Sequence, residues 1–263
     1  MNASDLAGHG RGPQRSLSDE DRAQHEWQLD VPDFGEDGQL ALRNATVLIS
    51  RIGGLGGPVA WELAAAGVGR LILVHEGCPS PSDLNRQTLI RADQLGRPRV
   101  EQAVDRLGEF KPSVEIIPVN ETMHEGNADR WIQEADLVVD CAPMFEERLA
   151  MNDAIVAQGK PMVECAMYEL QASLTTIVPG RSPCLRCLVP SPPPAWKRRF
   201  PVFGAVSGAV GCLAAMEAIK WLSGLGDCLL GRMVQMDLRT MQWSEVKVHK
   251  NPSCPVCRTK HEG

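Results

Sequence analysis

Short apolar runs alternate with segments of helical periodicity between residues 46 and 165. The apolar runs predict buried strands, and the segments between them carry apolar residues at the spacing of one helix face. Strands that alternate with helices predict an α/β fold, a Rossmann-like, mostly parallel twisted sheet with helices on both faces. The predicted strands are 46–50, 70–74, 114–119, 136–140 and 161–165, and the predicted helices are 59–66, 98–110, 128–134 and 144–158.

The pattern changes after residue 166, where strict alternation replaces continuous apolar runs. Alternation is typical of an antiparallel strand with one buried face, so we expect an antiparallel C-terminal extension of the sheet. Its predicted elements are a strand at 171–178, a buried helix at 205–222 and a hairpin at 233–237 and 242–248. The predicted organisation is a disordered tail at 1–22 and a single domain at 23–263, with a nucleotide-fold half at 44–166 and a zinc-containing half at 167–258.

Overall composition limits the possible partners. The chain has 263 residues, 43% of them hydrophobic, and a net charge of −6, so it can bury a core but is not expected to bind nucleic acid. Residues 1–22 lack the apolar stretch of a signal peptide, and the longest apolar run, 202–216, is too short to span a bilayer. We therefore expect a cytoplasmic protein with no membrane partner.

Two Cys-x-x-Cys pairs indicate a metal site. Cys184 and Cys187 form the first pair, and Cys254 and Cys257 form the second. Such a turn directs both sulfurs at one ion, and two pairs complete the closed tetrahedral site of structural zinc, a zinc knuckle. The alternatives are a redox pair, which normally opens a helix after a strand, or free thiols. The absence of a signal peptide makes disulfides a poorer interpretation than metal.

A glycine-rich turn is the candidate phosphate site. Residues 48–64 read LISRIGGLGGPVAWELA, so an apolar strand leads through Gly53, Gly54 and Gly56 into a helix. Backbone N–H groups at a helix N-terminus hold phosphates in this way. Arg51 stands where such turns commonly have their first glycine.

The motifs taken together, in this order, resemble those of the ThiF/MoeB/HesA family, bacterial relatives of the ubiquitin-activating enzymes. The matching stretches are DFGEDGQLAL, GGLGGPVAWELAAAGVGRL, SDLNRQ, GRPRVEQA, CLRCLVPSPPP, GAVGCLAAMEAIKWLSG and CPVC. The resemblance implies an ATP site beside the glycine turn and adenylation of the C-terminal Gly-Gly of a ubiquitin-like sulfur carrier such as ThiS or MoaD. It also implies a homodimer and a four-cysteine zinc site.

Several positions depart from the family pattern around the nucleotide. His75 replaces the acid that holds the ribose, and the adjacent Glu76 should point to the opposite face of its strand. Asp83 replaces an asparagine in SDLNRQ, whereas Arg86 and Gln87 of that motif are kept. The family lysine of GKPK is Arg99, which stays cationic but has a different hydrogen-bonding geometry.

The remaining departures affect the metal and the reacting groups. Pro143 stands where the family has the aspartate that holds magnesium, and Trp27 stands where an arginine reaches the other subunit's phosphates. The cysteine that some relatives use for a thioester or persulfide falls at Lys197. Arg51 replaces a glycine. It must fill the pocket, partly replace the charge of magnesium, or point to the surface with no role.

These departures leave two functional interpretations. In the first, the chain keeps the groove for a Gly-Gly or peptide tail but has lost, or largely lost, ATP-dependent adenylation. In the second, it is an active adenylating enzyme that uses Arg51, Arg86 and Arg99 for charge. An NAD-dependent oxidoreductase is a distant third, because the G-x-G-x-x-G spacing is absent. The helix predicted at 205–222 is the expected dimer surface, or alternatively only intramolecular core.

Overall fold

The computed structural model describes residues 15–194 and 201–258, and its strands form one eight-stranded sheet. The strands are β1 Thr46–Ser50, β2 Arg70–Val74, β3 Glu115–Val119, β4 Leu137–Asp140, β5 Met162–Tyr168, β6 Gln171–Ile177, β7 Arg232–Asp237 and β8 Gln242–Lys247. Their order is β3-β2-β1-β4-β5-β6-β7-β8; β1 to β5 run parallel, and β6, β7 and β8 are each antiparallel to the strand before them. The predicted α/β fold with an antiparallel extension is confirmed.

Helices cover both faces of the parallel part of the sheet. They are α1 Asp19–Gln24, α2 Glu26–Leu29, α3 Gly35–Asn44, α4 Gly56–Ala65, α5 Arg99–Phe110, α6 Ala128–Gln133, α7 Phe145–Gln158, α8 Leu185–Leu188 and α9 Gly204–Ser223. Alternate residues of β1 enter two separate cores: Val47 and Ile49 pack with α3, α4, α5 and α9, whereas Leu48 packs with α6 and α7. The strand is therefore apolar throughout, as a parallel strand buried on both faces requires.

The direction of the chain connections reverses beside β1. Strands β2 and β3 lie on one side of β1, and β4 and β5 lie on the other. Ligands of open α/β sheets bind outside the carboxyl ends of the strands at such a reversal. The loops after β1, β2 and β4 are therefore the expected place for the site.

Helix α9 is longer than the apolar run suggested. Within the described ranges it is the one helix long and apolar enough to cross a membrane by length and composition. The apolar run ends at residue 216, but the helix predicted at 205–222 is observed at Gly204–Ser223 and ends at Gly224 in the left-handed conformation. Val210, Ala214 and Ala218 are fully buried in the core with α4 and the sheet. That packing is typical of a core helix.

The N-terminal segment differs from the predicted tail at residues 15–22. Arg15 donates hydrogen bonds to the Gly69 carbonyl at 2.7 Å and to the Glu115 carboxylate at 2.7 Å. Ser18 and Asp21 form a reciprocal capping box that starts α1. These hydrogen bonds, and not buried apolar side chains, order residues 15–22. The polar composition of the segment therefore predicted disorder where the structure has a helix. Residues 1–14 lie outside the described part, and the single-domain division stays a prediction.

Candidate functional site

A groove of about 940 Å³ begins at the carboxyl ends of the parallel strands and continues over one face of the antiparallel strands. We call it the central groove. Its lining at the strand ends includes Arg51, Gly53, Gly54, His75, Asp83, Arg86, Gln87, Arg99, Pro143, Arg148 and Glu164, and its lining farther out includes Ala166, Tyr168, Ser173, Gln235, Val246 and His249. All the predicted nucleotide-site residues except Gly56 therefore line one cavity.

The glycine turn has the close packing that a phosphate cradle needs. A Cβ atom at Gly54 would lie 2.8 Å from Ser207 Oγ, and one at Gly56 would lie 2.5 Å from the carbonyl oxygen of Arg51. Gly56 is also the first residue of α4, so the turn delivers the chain directly into a helix N-terminus. The close atom at Gly56 belongs to the backbone, so only glycine fits there, whereas a side chain at Gly54 would have to displace Ser207 and Arg86. The predicted turn is thus present with its backbone able to approach a ligand.

Arg51 is buried, with only 8% of its surface exposed, so the interpretation of a surface-directed arginine is wrong. Its backbone has φ of 60°, in the left-handed region that favours glycine. The guanidinium binds the buried Glu147 through two hydrogen bonds, Nε to Oε2 at 2.6 Å and Nη2 to Oε1 at 2.8 Å. Nη2 also donates to Thr122 Oγ1 at 3.0 Å, and that hydroxyl donates to Glu76 Oε2 at 2.6 Å.

Asp83 binds Arg86 and Arg99, two of the three arginines expected to supply charge for phosphate. Arg99 Nη2 lies 2.7 Å from Asp83 Oδ2, and Arg86 Nη2 lies 3.0 Å from Oδ1. Gln87 donates to Oδ1 at 2.9 Å and accepts from Arg99 Nε at 3.1 Å. Burial acts to raise the pKa of Asp83, but hydrogen bonds from Ser80 and Arg99 outweigh it and lower the pKa below its usual value. The carboxylate is therefore charged at neutral pH.

His75 lies beside the glycine turn at the end of β2. It is buried, and its Cε1 is 3.7 Å from the point where a Gly53 Cβ would lie. This is the predicted ribose position. Glu76 is not among the groove-lining residues.

A second buried ion cluster forms the wall of the groove next to the loop after β4. Arg148 on α7 binds Glu164 Oε1 through Nη1, and the same nitrogen lies 3.8 Å from Asp140 Oδ2. Burial raises the pKa values of both Asp140 and Glu164, although the charge of Arg148 acts in the opposite direction. Sequence reasoning missed Glu147, Arg148 and Glu164, because no local pattern marks an ion pair between distant positions.

The cysteine pairs meet on the face of the sheet that carries α7. The Sγ atoms of Cys184 and Cys254 are 3.6 Å apart, those of Cys187 and Cys257 are 3.3 Å apart, and all four lie within 4.8 Å of one another. Cys184 precedes α8, a one-turn helix that the sequence analysis did not predict. Four converging sulfurs can hold a metal ion, and this donor set fits zinc. Lys197 lies outside the described residues.

Comparison with known proteins identifies the family. The model of the ThiF family matches residues 25–256. The chain belongs to the ThiF family. The heterocyst HesA protein of Trichormus variabilis is 45% identical over 230 residues, covering 88% of this chain and 86% of its own length. The adenylyltransferase and sulfurtransferase MOCS3 of Drosophila sechellia is 37% identical over 258 residues, covering 96% of this chain, which spans little more than half (57%) of that protein.

Two solved structures of MccB share the fold of this chain. Escherichia coli MccB bound to ATP superposes with a TM-score of 0.75 at 23% identity, covering 84% of this chain and 69% of MccB. The microcin C7 biosynthetic enzyme MccB in complex with N-formylated MccA superposes with a TM-score of 0.76 at 22% identity, covering 84% and 70%. At these identities the likeness shows the shared fold alone.

Proposed function

We propose that this ThiF-family chain binds the C-terminal tail of a peptide or small ubiquitin-like protein in the central groove, and that ATP-dependent adenylation is lost or much reduced. The observation that carries the proposal is the internal pairing of the groove's arginines. Arg51 binds Glu147, Arg86 and Arg99 share Asp83, and Arg148 binds Glu164.

Paired arginines are poor phosphate ligands. A triphosphate carries several negative charges, so a site that binds it needs an excess of positive charge or a metal ion. Breaking a buried ion pair to free one arginine costs about 3–5 kcal/mol. Pro143, at the position of the metal-binding aspartate, supplies no metal-ligating side chain. A magnesium–ATP complex therefore meets arginines that are each already bound to a carboxylate, and only the pair that shares Asp83 has positive charge in excess.

The outer part of the groove supports the binding of an extended chain. Its floor is one face of β5 and β6, where Ala166 lies opposite Ser173, and Tyr168 lies opposite Gln171. The small side chains of Ala166 and Ser173 leave room for the backbone of a bound tail. MccB, which shares the fold, has been solved with the peptide MccA, and MOCS3 is named an adenylyltransferase and sulfurtransferase. A Gly-Gly tail or a peptide C-terminus is the ligand class this implies.

The proposal predicts that ATP binds with a Kd above ~1 mM, with or without magnesium. Isothermal titration calorimetry measures this directly, and exchange of labelled pyrophosphate into ATP measures adenylation. E. coli MccB with its MccA peptide is the positive control for both assays. Tight ATP binding together with partner-dependent exchange at an enzyme's rate would reject the proposal.

A second candidate is an active adenylating enzyme with a rebuilt phosphate site. The observation that favours it is the intact glycine turn, where the backbone of Arg51 leaves no room for a side chain at Gly56. In that case Arg86 and Arg99 would leave Asp83 for phosphate when ATP binds. Arg86→Gln would then lower the rate of pyrophosphate exchange into ATP by about 10²–10³-fold. If adenylation is lost, the unmodified protein already shows no exchange.

We also propose a cytoplasmic protein with a structural zinc ion on the cysteine cluster, and a homodimer that forms through α9. One stripe of this helix, Ala205, Ala209, Cys212 and Met216, is exposed and rich in small residues. We expect light scattering at micromolar concentration to give twice the 28.7 kDa chain mass. A monomer mass would mean that α9 serves only as intramolecular core.

A further inference from the structure

Glu164 occupies a position where the parallel and antiparallel parts of the groove meet. It lies on β5 in register with Asp140 of β4 and with Thr175 of β6. Its side chain lines the central groove although only 3% of the residue is exposed. The next residues on the same face of β5, Ala166 and Tyr168, continue the groove away from the glycine turn.

The carboxylates around Arg148 outnumber the donors available to them. Glu164 Oε1 and Asp140 Oδ2 both face one guanidinium nitrogen, while Arg148 Nε donates to the Ala142 carbonyl at 2.7 Å and Nη2 to the Cys165 carbonyl at 2.9 Å. Neither Glu164 Oε2 nor Asp140 Oδ2 accepts a hydrogen bond from any group in residues 15–194 or 201–258. Leaving a buried charged acceptor without a donor is unfavourable.

We infer that Glu164 is a specificity-determining residue that accepts a hydrogen bond from a nitrogen donor on the last side chain of the bound tail, either a carboxamide or an ammonium group. This inference rests on the proposed tail-binding function and deepens it. In this inference the tail lies over β5 and β6 with its C-terminus toward the glycine turn, so its last residue lies at Glu164, which Arg148 joins to Ala142 in the loop after β4. A Gly-Gly tail has no side chain to offer, so it is not the preferred ligand.

Peptides that differ only in their last residue test this inference on the unmodified protein. We would measure fluorescence anisotropy with fluorescein-labelled octapeptides of one sequence that end in Gly, Leu, Asn or Lys. Asn has nearly the shape of Leu, so that pair isolates the amide donor, while Lys tests the ammonium. We expect Asn, Lys or both to bind about tenfold tighter than Leu and Gly, as a charge-assisted hydrogen bond implies.

Equal affinities across the series would overturn the inference and leave tail binding intact, whereas no binding by any peptide would overturn both.

A conservative variant then assigns the preference to one residue. Glu164→Gln keeps the size of the side chain and an oxygen for Arg148 but replaces the other acceptor with an amide nitrogen. We expect the donor-to-Leu affinity ratio to fall to near one in this variant while the Leu and Gly peptides bind as before. Glu109→Gln, the same charge change at an exposed position on α5, should leave the ratio unchanged. If Glu164→Gln still binds the Asn or Lys peptide more tightly than the Leu peptide, Glu164 does not determine the preference. If that variant does not fold, the four peptides measured on the unmodified protein test the inference by themselves.

Discussion

Replacing Cys184 with serine is expected to unfold the part of the protein that follows β6. Cys184 is 1% exposed and its thiol lies 3.6 Å from that of Cys254, which is fully buried, so both residues are interior. Structural zinc supplies on the order of 10 kcal/mol to folding. Since whole domains are stable by only about 5–15 kcal/mol, loss of the ion removes most of the available stability.

Zinc content and thermal unfolding by circular dichroism measure this effect. The unmodified protein should carry one zinc ion per chain, and Cys184→Ser or prolonged chelation should remove it and lower the melting temperature sharply. Cys78→Ser, at an exposed position in the loop after β2, is the matched control and should change neither quantity. A reduced, chelator-treated protein that melts at the original temperature would show that the cysteines are ordinary thiols.

Replacing Arg51 with glycine is expected to destabilise the protein by a few kcal/mol even though glycine suits the backbone better. The left-handed φ of 60° at Arg51 is strained by about 1–3 kcal/mol, and glycine relieves that strain. The substitution also leaves Glu147, which is 5% exposed, without its cation, and an unpaired buried charge costs about 3–5 kcal/mol. The second effect is larger.

A double variant distinguishes the contribution of the Arg51–Glu147 ion pair to stability from the effect of the Arg51 side chain on the groove. Arg51→Gly combined with Glu147→Gln removes both charges, so denaturant unfolding should show most of the lost stability restored. With the guanidinium gone from the groove, ATP binding in calorimetry would show that Arg51 blocks the site, whereas its continued absence would show that the pairing of Arg86 and Arg99 with Asp83 is sufficient. Arg91→Ala, which removes the exposed partner of Asp93, is the control and should have little effect on either measurement. If the double variant instead abolishes an adenylation activity, Arg51 serves the reaction rather than blocking the site.

The parallel part of the fold was predictable because a strand that is buried on both faces of the sheet is apolar at nearly every position. Strands β1, β2 and β4 are continuous apolar runs, and their observed bounds agree with the predicted ones to within a residue. Strand β5 was predicted too short. Its last residues, 166–168, are apolar but half-buried or exposed, and they belong to the strand because they pair with β6, a contact that the sequence of β5 does not reveal.

The candidate site was predictable only where its chemistry depends on local spacing. The glycine turn and each Cys-x-x-Cys pair are short motifs that the fold keeps together. The partner of Arg51, in contrast, is 96 residues away along the chain. Whether that arginine fills, serves or leaves the pocket depends on Glu147, whose position follows from the packing of α7 and not from its neighbours in sequence.

The 70-residue separation between Cys184 and Cys254 also has a consequence for biosynthesis. The segment between the two cysteine pairs contains α9, β7 and β8, so the cluster can be completed only after all three have left the ribosome. The outer floor of the groove, which includes Gln235 and Val246, belongs to the same late segment. A nascent chain that stopped between β8 and Cys254 would contain all eight strands but only two of the four sulfurs, so it would be exposed to quality-control proteases without the stabilisation that a bound metal ion would supply.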